Sequence, residues 1–224
     1  MTVLLMLCMI VTFLAADKIV RTVRAAKALR AARADAGAVM NPPDGISLAL
    51  NHMWMRMEKG VAVIGIDEFL SGMIGAVESV LLPGVGAAVA PADAAISLAR
   101  GTRRIRIASP VEGRVLEVNA GVLRNPALAR RDPYGNGWLL KVSPSGRVPA
   151  SGSLAGAAAG EWLRSQTELA KKFLTSAGRS GAPIVTLPDG GVPSEGALMH
   201  CDAAAWEEFE RLFTTIHGHE RANH

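Results

Sequence analysis

Few side chains in this sequence are placed to do chemistry. Cys201 stands between His200 and Asp202, the residue types of a thiol nucleophile, its base and an orienting carboxylate. Adjacency along the chain is not the spatial constellation that nucleophilic catalysis needs, however. His217-x-His219, followed by Glu220 and His224, offers metal-ligand types at loose spacing, and a solvated tail is the simpler reading of a chain terminus. No glycine-rich phosphate loop, zinc-type cysteine spacing or paired-carboxylate signature occurs. The expectation is a protein that is not an enzyme, with no catalytic residue, no metal and no cofactor.

A denser signal is cationic. Arg100, Arg103, Arg104 and Arg106 surround Gly101-Thr102. Strand alternation would turn Ile105 and Ile107 inward and Arg104 and Arg106 outward. Guanidinium groups at a hairpin tip suit docking to an acidic partner or to phosphate. A solvated hairpin without specific contacts is the competing reading, because exposed charges contribute little. The four arginines are the expected partner-binding residues.

The elements that would position this tip are short apolar runs separated by turn signals. Val61–Ile66 reads as a strand, and Asp67 as the N-cap of a short helix holding Phe69, Leu70, Met73 and Ile74. Val77–Leu82 is strand-like and ends at Pro83-Gly84. Ala94–Leu98 and Ile105–Ala108 flank the tip. Val111, Val115 and Val118 suggest a further strand, and Trp138–Val142 a last one closed by Pro144. Many short strands with Gly and Pro turns imply a mainly β sandwich or barrel with flanking helices. Beyond it, Pro149–Gly156 reads as a linker and Ala157–Ala177 as a helix. Ile184–Leu187 reads as a short strand and Pro188–Gly191 as a turn. A last helix capped by Asp202 would carry Trp206, Phe209, Leu212, Phe213 and Ile216.

Several ordered motifs add a resemblance. They are His52-x-Trp54, Gly65-Ile66-Asp67-Glu68-Phe69, Leu82-Pro83-Gly84-Val85-Gly86, Ser109-Pro110-Val111-Glu112-Gly113 and Asp132-Pro133-Tyr134-Gly135-Asn136-Gly137-Trp138. With them the chain resembles the H proteins of the glycine cleavage system. That resemblance implies a lipoyl-type barrel-sandwich hybrid over residues 50–148, with Tyr134 and Trp138 as structural rings closing one end. It also implies a lipoyl group on a lysine within Glu-Ser-Val-Lys-Ala at a hairpin tip. Here the corresponding residues are Ala99, Arg100, Gly101, Thr102 and Arg103, so Thr102 takes the lysine position. No lysine lies between Lys59 and Lys141. Arginine cannot substitute, because a guanidinium stays protonated and is a poor acyl acceptor.

The chain of 224 residues carries a net charge of +4. Lys18, Arg21, Arg24, Lys27, Arg30 and Arg33 against Asp17 and Asp35 account for all of it. The basic pI therefore describes a segment and not a basic globular surface. Thr2–Ala16 is uncharged and mostly apolar. Val3–Val20 as helix would reach roughly 27 Å at ~1.5 Å per residue, short but workable for a bilayer core of about 30 Å. A cleaved signal peptide would carry its positive charge ahead of the apolar run, whereas here it follows; a buried core helix is the other alternative. The expectation is a transmembrane anchor over 1–20, a basic juxtamembrane helix over 21–38 and a linker over 39–49. Lys18, Arg21, Arg24 and Lys27 would lie at the membrane interface, and a helical extension would fill 149–224.

By the positive-inside rule the folded part would be cytoplasmic, on a single pass through a cell inner membrane. Its partners would be membrane lipids and other subunits of a membrane complex, with no nucleic acid. The two cysteines, Cys8 and Cys201, imply no disulfide framework. Together these readings describe a non-catalytic, membrane-anchored accessory subunit of a larger bacterial complex, respiratory or photosynthetic, that uses a lipoylation-deficient H-like domain as scaffold. A regulatory or decoy module for enzymes of lipoyl or glycine metabolism is the alternative.

Overall fold

The computed structural model describes residues 41–91, 93–146, 153–179 and 193–215. Their strands are β1 (Ser47–Ala49), β2 (Met53–Glu58), β3 (Val61–Ile66), β4 (Ser79–Leu81), β5 (Ala88–Val89), β6 (Ile96–Arg100), β7 (Arg103–Ile107), β8 (Gly113–Val118), β9 (Leu140–Pro144) and β10 (Ser153–Ala155). One sheet has seven strands in the order β10-β1-β2-β3-β9-β8-β5, and the other has three in the order β4-β6-β7. Every pairing recorded for them is antiparallel. The expected mainly β fold with flanking helices is what the chain adopts.

The core fills from both sheets. Met53, Ile64, Ile66, Val115, Leu140 and Val142 of the larger sheet are buried with Val80, Leu98, Ile105 and Ile107 of the smaller. The alternation read for β7 holds, with Ile105 and Ile107 fully buried between exposed Arg104 and Arg106. α1 (Glu68–Ile74) is capped by Asp67, whose carboxylate accepts from Leu70 N. α2 (Ala120–Arg124) is capped by Asn119, and a single turn, α3 (Leu128–Arg131), follows.

Two stretches expected to be linkers are in part strands of the sheet. Ser47–Ala49 within the 39–49 stretch pairs with Ser153–Ala155 within the 149–156 stretch, so β10 adds to the sheet beside β1. Other differences are local. The strand expected over Val77–Leu82 narrows to Ser79–Leu81, and Trp138 lies outside β9 because the turn fixed by Asp132 runs through Gly137.

α4 (Gly156–Arg179) and α5 (Ala203–Phe213), joined to a 3₁₀ turn at Ala197–His200, complete the described residues. α4 buries Ala159, Leu163, Ala170, Phe173 and Leu174, and α5 buries Trp206, Phe209 and Phe213. Their rings form one chain: Phe173 to Phe209 at 5.9 Å, Phe209 to Phe213 at 4.5 Å and Phe213 to Phe69 of α1 at 5.6 Å. The last helix begins at Asp202 as expected, with the carboxylate accepting from Ala205 N at 2.8 Å.

The single-pass placement in an inner membrane is corrected. No helix among the described residues is long and apolar enough to cross a membrane. α4 is the longest, but Glu161, Arg164, Glu168, Lys171 and Lys172 interrupt it with charge, which a lipid-facing helix does not tolerate. The segments 1–20 and 21–38, with Lys18, Arg21, Arg24 and Lys27, lie outside the described residues. So do Ile184–Leu187, Pro188–Gly191, Ile216 and the histidines after it.

Candidate functional site

The β6–β7 hairpin closes through a two-residue turn, with Arg100 paired to Arg103 across Gly101-Thr102. Gly101 has φ 56°, the left-handed value that a two-residue hairpin turn demands of its first central residue and that glycine adopts without strain. Thr102 is the second central residue, exposed at the apex. The position read from the sequence as that of a lipoyl lysine is thus a true tip, and its side chain is a hydroxyl.

The hairpin is fastened rather than free. Gly101 N donates to Glu78 Oε2 at 2.9 Å, and Arg100 Nη1 donates to the Ala76 carbonyl at 3.1 Å. Arg103 Nη1 donates to the carbonyl of Cys201, and its guanidinium lies 5.6 Å from the Trp206 ring centre, a cation–π arrangement. Arg106 pairs with Glu210 at 3.2 Å, and its carbonyl accepts from Thr214 Oγ1 at 3.1 Å. Three of the four arginines expected to dock a partner therefore have intramolecular contacts. Arg104 is exposed on the outer face, and its side chain makes no hydrogen bond or ion pair among the described residues.

These contacts make the C-terminal segment part of the site. Trp206 Nε1 donates to the Leu198 carbonyl at 2.7 Å, and Gly196 N donates to Gly72 O of α1 at 2.8 Å. The 3₁₀ turn and α5 thus brace one flank of the hairpin against α1. Cys201 is buried within this brace. Burial and then Asp202 push its thiol pKa up, with Arg103 opposing, so the thiol is held protonated. That is the opposite of nucleophile activation. His200 Nδ1 and Nε2 make no recorded contact with it, and no cluster of metal-binding side chains occurs among the described residues.

A second group of polar residues is buried where β2, α1 and α4 meet, and is structural. His52 Nδ1 and Asp67 Oδ2 meet at 2.7 Å, both fully buried, and Asp67 N donates to His52 O at 2.9 Å. The His52 ring stacks on Phe69 at 4.4 Å and lies 4.6 Å from Trp162 of α4. The first two motifs of the sequence are thereby one junction, joining β2, α1 and α4. Burial, and secondarily Asp67, raise the Glu68 carboxyl to about 7. The same causes in the same order, with Glu68 added, raise the Tyr134 phenol well above its usual range. Tyr134 packs 6.0 Å from Trp54, and Trp138 carries Lys141 Nζ over its ring at 4.8 Å. Asn119 Nδ2 donates to the carbonyls of Asn136 and Trp138 at 2.8 and 2.6 Å, tying α2 to the last motif.

The expected tip and the outward arginines were readable from turn chemistry and alternation. Glu78, Trp206, Glu210 and the Cys201 carbonyl were not. Arg103 and Cys201 are 98 residues apart, and no local pattern links them.

Comparison with known proteins bears on this geometry. The family described as glycine cleavage H-protein matches residues 47–164. The glycine cleavage system H protein of Alteromonas mediterranea is 36% identical over 116 residues, covering 51% of this chain and 89% of that protein. The H protein of Carboxydothermus hydrogenoformans is 32% identical, covering 46% and 79%. The mitochondrial H protein of Flaveria trinervia is 36% identical over 46% of this chain and 62% of its own length. The chain thus spans less than two thirds of that last relative. A crystal structure of the Mycobacterium marinum H protein superposes with a TM-score of 0.49 at 25% identity, over 55% of this chain and 99% of that one. The inner-membrane placement finds no counterpart in the names of these relatives. The match covers more than half of the sequence, contains every motif quoted above and includes the hairpin at whose apex Thr102 stands. The chain belongs to the glycine cleavage H-protein family.

Proposed function

We propose that this chain is a non-lipoylated member of its family that works as a non-catalytic binding subunit of a larger protein complex. The observation that carries this reading is the hairpin turn. Its second central residue is Thr102, and its flanking arginines are spent on holding the tip to Ala76 and Cys201. A carrier needs an amine to acylate and an arm free to swing. This tip has a hydroxyl in place of the amine, and no lysine is near it in the sequence. What a partner would meet is a fixed surface, preorganised so that little side-chain entropy is lost on association.

A second reading is a decoy that occupies enzymes serving the glycine cleavage system. Its support is the retained family motifs and the 36% identity to a named glycine cleavage H protein. Native purification of the full chain, with mass spectrometry of what accompanies it and of the intact chain, separates the two. The first reading expects stoichiometric partners that do not handle lipoyl groups, and an unmodified chain. Recovery of glycine-cleavage enzymes would favour the decoy. A lipoyl adduct on the intact chain would overturn both.

A further inference from the structure

Four of the large apolar side chains exposed among the described residues lie on β4, the loop after it, β8 and α2. Leu81 is 51% exposed, Val85 70%, Leu116 46% and Leu123 47%. The elements carrying them adjoin. The loop after β4 runs along β8, with Gly86 N donating to Val115 O at 2.8 Å and Val115 N donating to Ala87 O at 2.9 Å. α2 follows β8 directly and packs back against β4. The corner therefore closes on itself, from β4 through the loop and β8 to α2.

Its apolar residues are presented by specific backbone features. Val115 pairs with Val142 and Glu117 with Lys141, which leaves Leu116 as the extra residue of a β-bulge. A bulge re-aims a side chain and interrupts the ladder, and here the side chain it exposes is a leucine. Val85 stands between Gly84 and Gly86 in the loop, where neither neighbour has a side chain to cover it. Scattered single apolar residues on a surface are ordinary, but contiguous ones mark interaction sites.

The charges at this corner choose the partner. Arg114 is exposed and spends one N–H on Gly86 O, and Arg124 is exposed at the end of α2. Of the carboxylates next to Arg114 in sequence, Glu117 is neutralised by Lys141 at 2.7 Å and Glu112 is exposed. The surface is thus apolar with an excess of exposed arginine at its rim, Arg114 and Arg124 against Glu112. A second copy would bring the same excess of arginine to the contact, whereas an acidic segment would offset it.

We propose that the surface of Leu81, Val85, Leu116 and Leu123 docks a different protein through a segment that is apolar and acidic. This deepens the binding-subunit reading and rests on it. The anchors are aliphatic, Arg114 and Arg124 pair with carboxylates at the rim, and the β6–β7 tip is outside the contact.

The test uses the full chain with photoreactive p-benzoylphenylalanine in place of Val85, irradiated while its native partners are bound. The expected product is a cross-link to another protein, on a peptide in which Asp and Glu outnumber Lys and Arg. Arg114→Glu with Arg124→Glu is expected to lower the yield about tenfold, and Lys172→Glu, exposed on α4, to leave it unchanged. Circular dichroism of each variant confirms that these surface changes leave the fold intact. A cross-link to a second copy of the chain, or to a basic peptide, overturns the proposal. So does partner capture that persists without any cross-link and survives Leu123→Asp. Absence of any stoichiometric partner on the unmodified chain instead overturns the binding-subunit reading, and the docking surface falls with it.

Discussion

Trp54 lies over Gly65, its partner across the β2–β3 ladder, so closely that a methyl group built on Gly65 would sit 2.7 Å from the indole Nε1 and Cε2. The ring is fully buried and occupies the space that a side chain at position 65 would take. Glycine is required here by volume. Gly65→Ala is expected to cost about 1–3 kcal/mol, the ordinary range for overpacking a filled core, and Gly65→Val more. Urea unfolding followed by tryptophan fluorescence measures the loss.

Glu68 gives stability a pH dependence. Burial and then Asp67 raise its carboxyl from 4.5 to about 7, so the folded chain holds this proton more tightly than the unfolded one. The stabilisation is complete below pH 4.5 and is lost as pH rises from 4.5 to about 7. Glu68→Gln removes that dependence. At pH 8 the variant is expected to melt above the native chain, with the advantage gone below pH 4.5. Thermal melts across that range test the sign.

Arg103 joins the hairpin to the C-terminal brace through the Cys201 carbonyl and the Trp206 ring. Arg103→Ala is expected to cost about 1–3 kcal/mol, a charged hydrogen bond and a stacked cation together. Amide exchange should quicken across Ala203–Phe213 before it does in β2 and β3. Arg103→Lys is not expected to restore protection, because an ammonium lacks the planar fork that serves both contacts. Equal acceleration everywhere would show that the brace is not a separate unit.

Thr102 offers a gain-of-function test. Thr102→Lys combined with Ala99→Glu puts an amine at the apex and a carboxylate where the family resemblance places one. Incubated with a lipoate–protein ligase, the double variant is expected to gain one lipoyl group by intact mass and the native chain none. Modification of the native chain, at Lys59 or Lys141, would refute the assignment of the tip as its only missing acceptor.

What could be read from the sequence was whatever rests on local period or turn chemistry. The alternation of Ile105 and Ile107 with Arg104 and Arg106, the cap at Asp67 and the glycine at the hairpin turn are of that kind. The motifs carried the sandwich, and His52–Asp67 shows why two of them recur as a pair: they are the halves of one buried contact. β1 and β10 were hidden because each is the tripeptide Ser-Leu-Ala, too short to display a period of two, and set among glycine and proline. Arg103 and Arg106 read as free charge because Trp206 and Glu210 reach them only through tertiary packing. The apolar run over Thr2–Ala16 dominated the reading of location, yet it lies outside the described residues.

The pairing of Ser47–Ala49 with Ser153–Ala155 sets the order in which this protein can be made. A growing chain that has delivered β9 still has β1 as an open edge, and such an edge is a template for mispairing. The larger sheet gains its last described strand only when Ala155 has emerged, and Trp162 reaches His52 later still. Contacts so distant in sequence form slowly. Covering of β1 therefore waits until β10 is made, and a product cut short before β10 would announce itself by its bare strand.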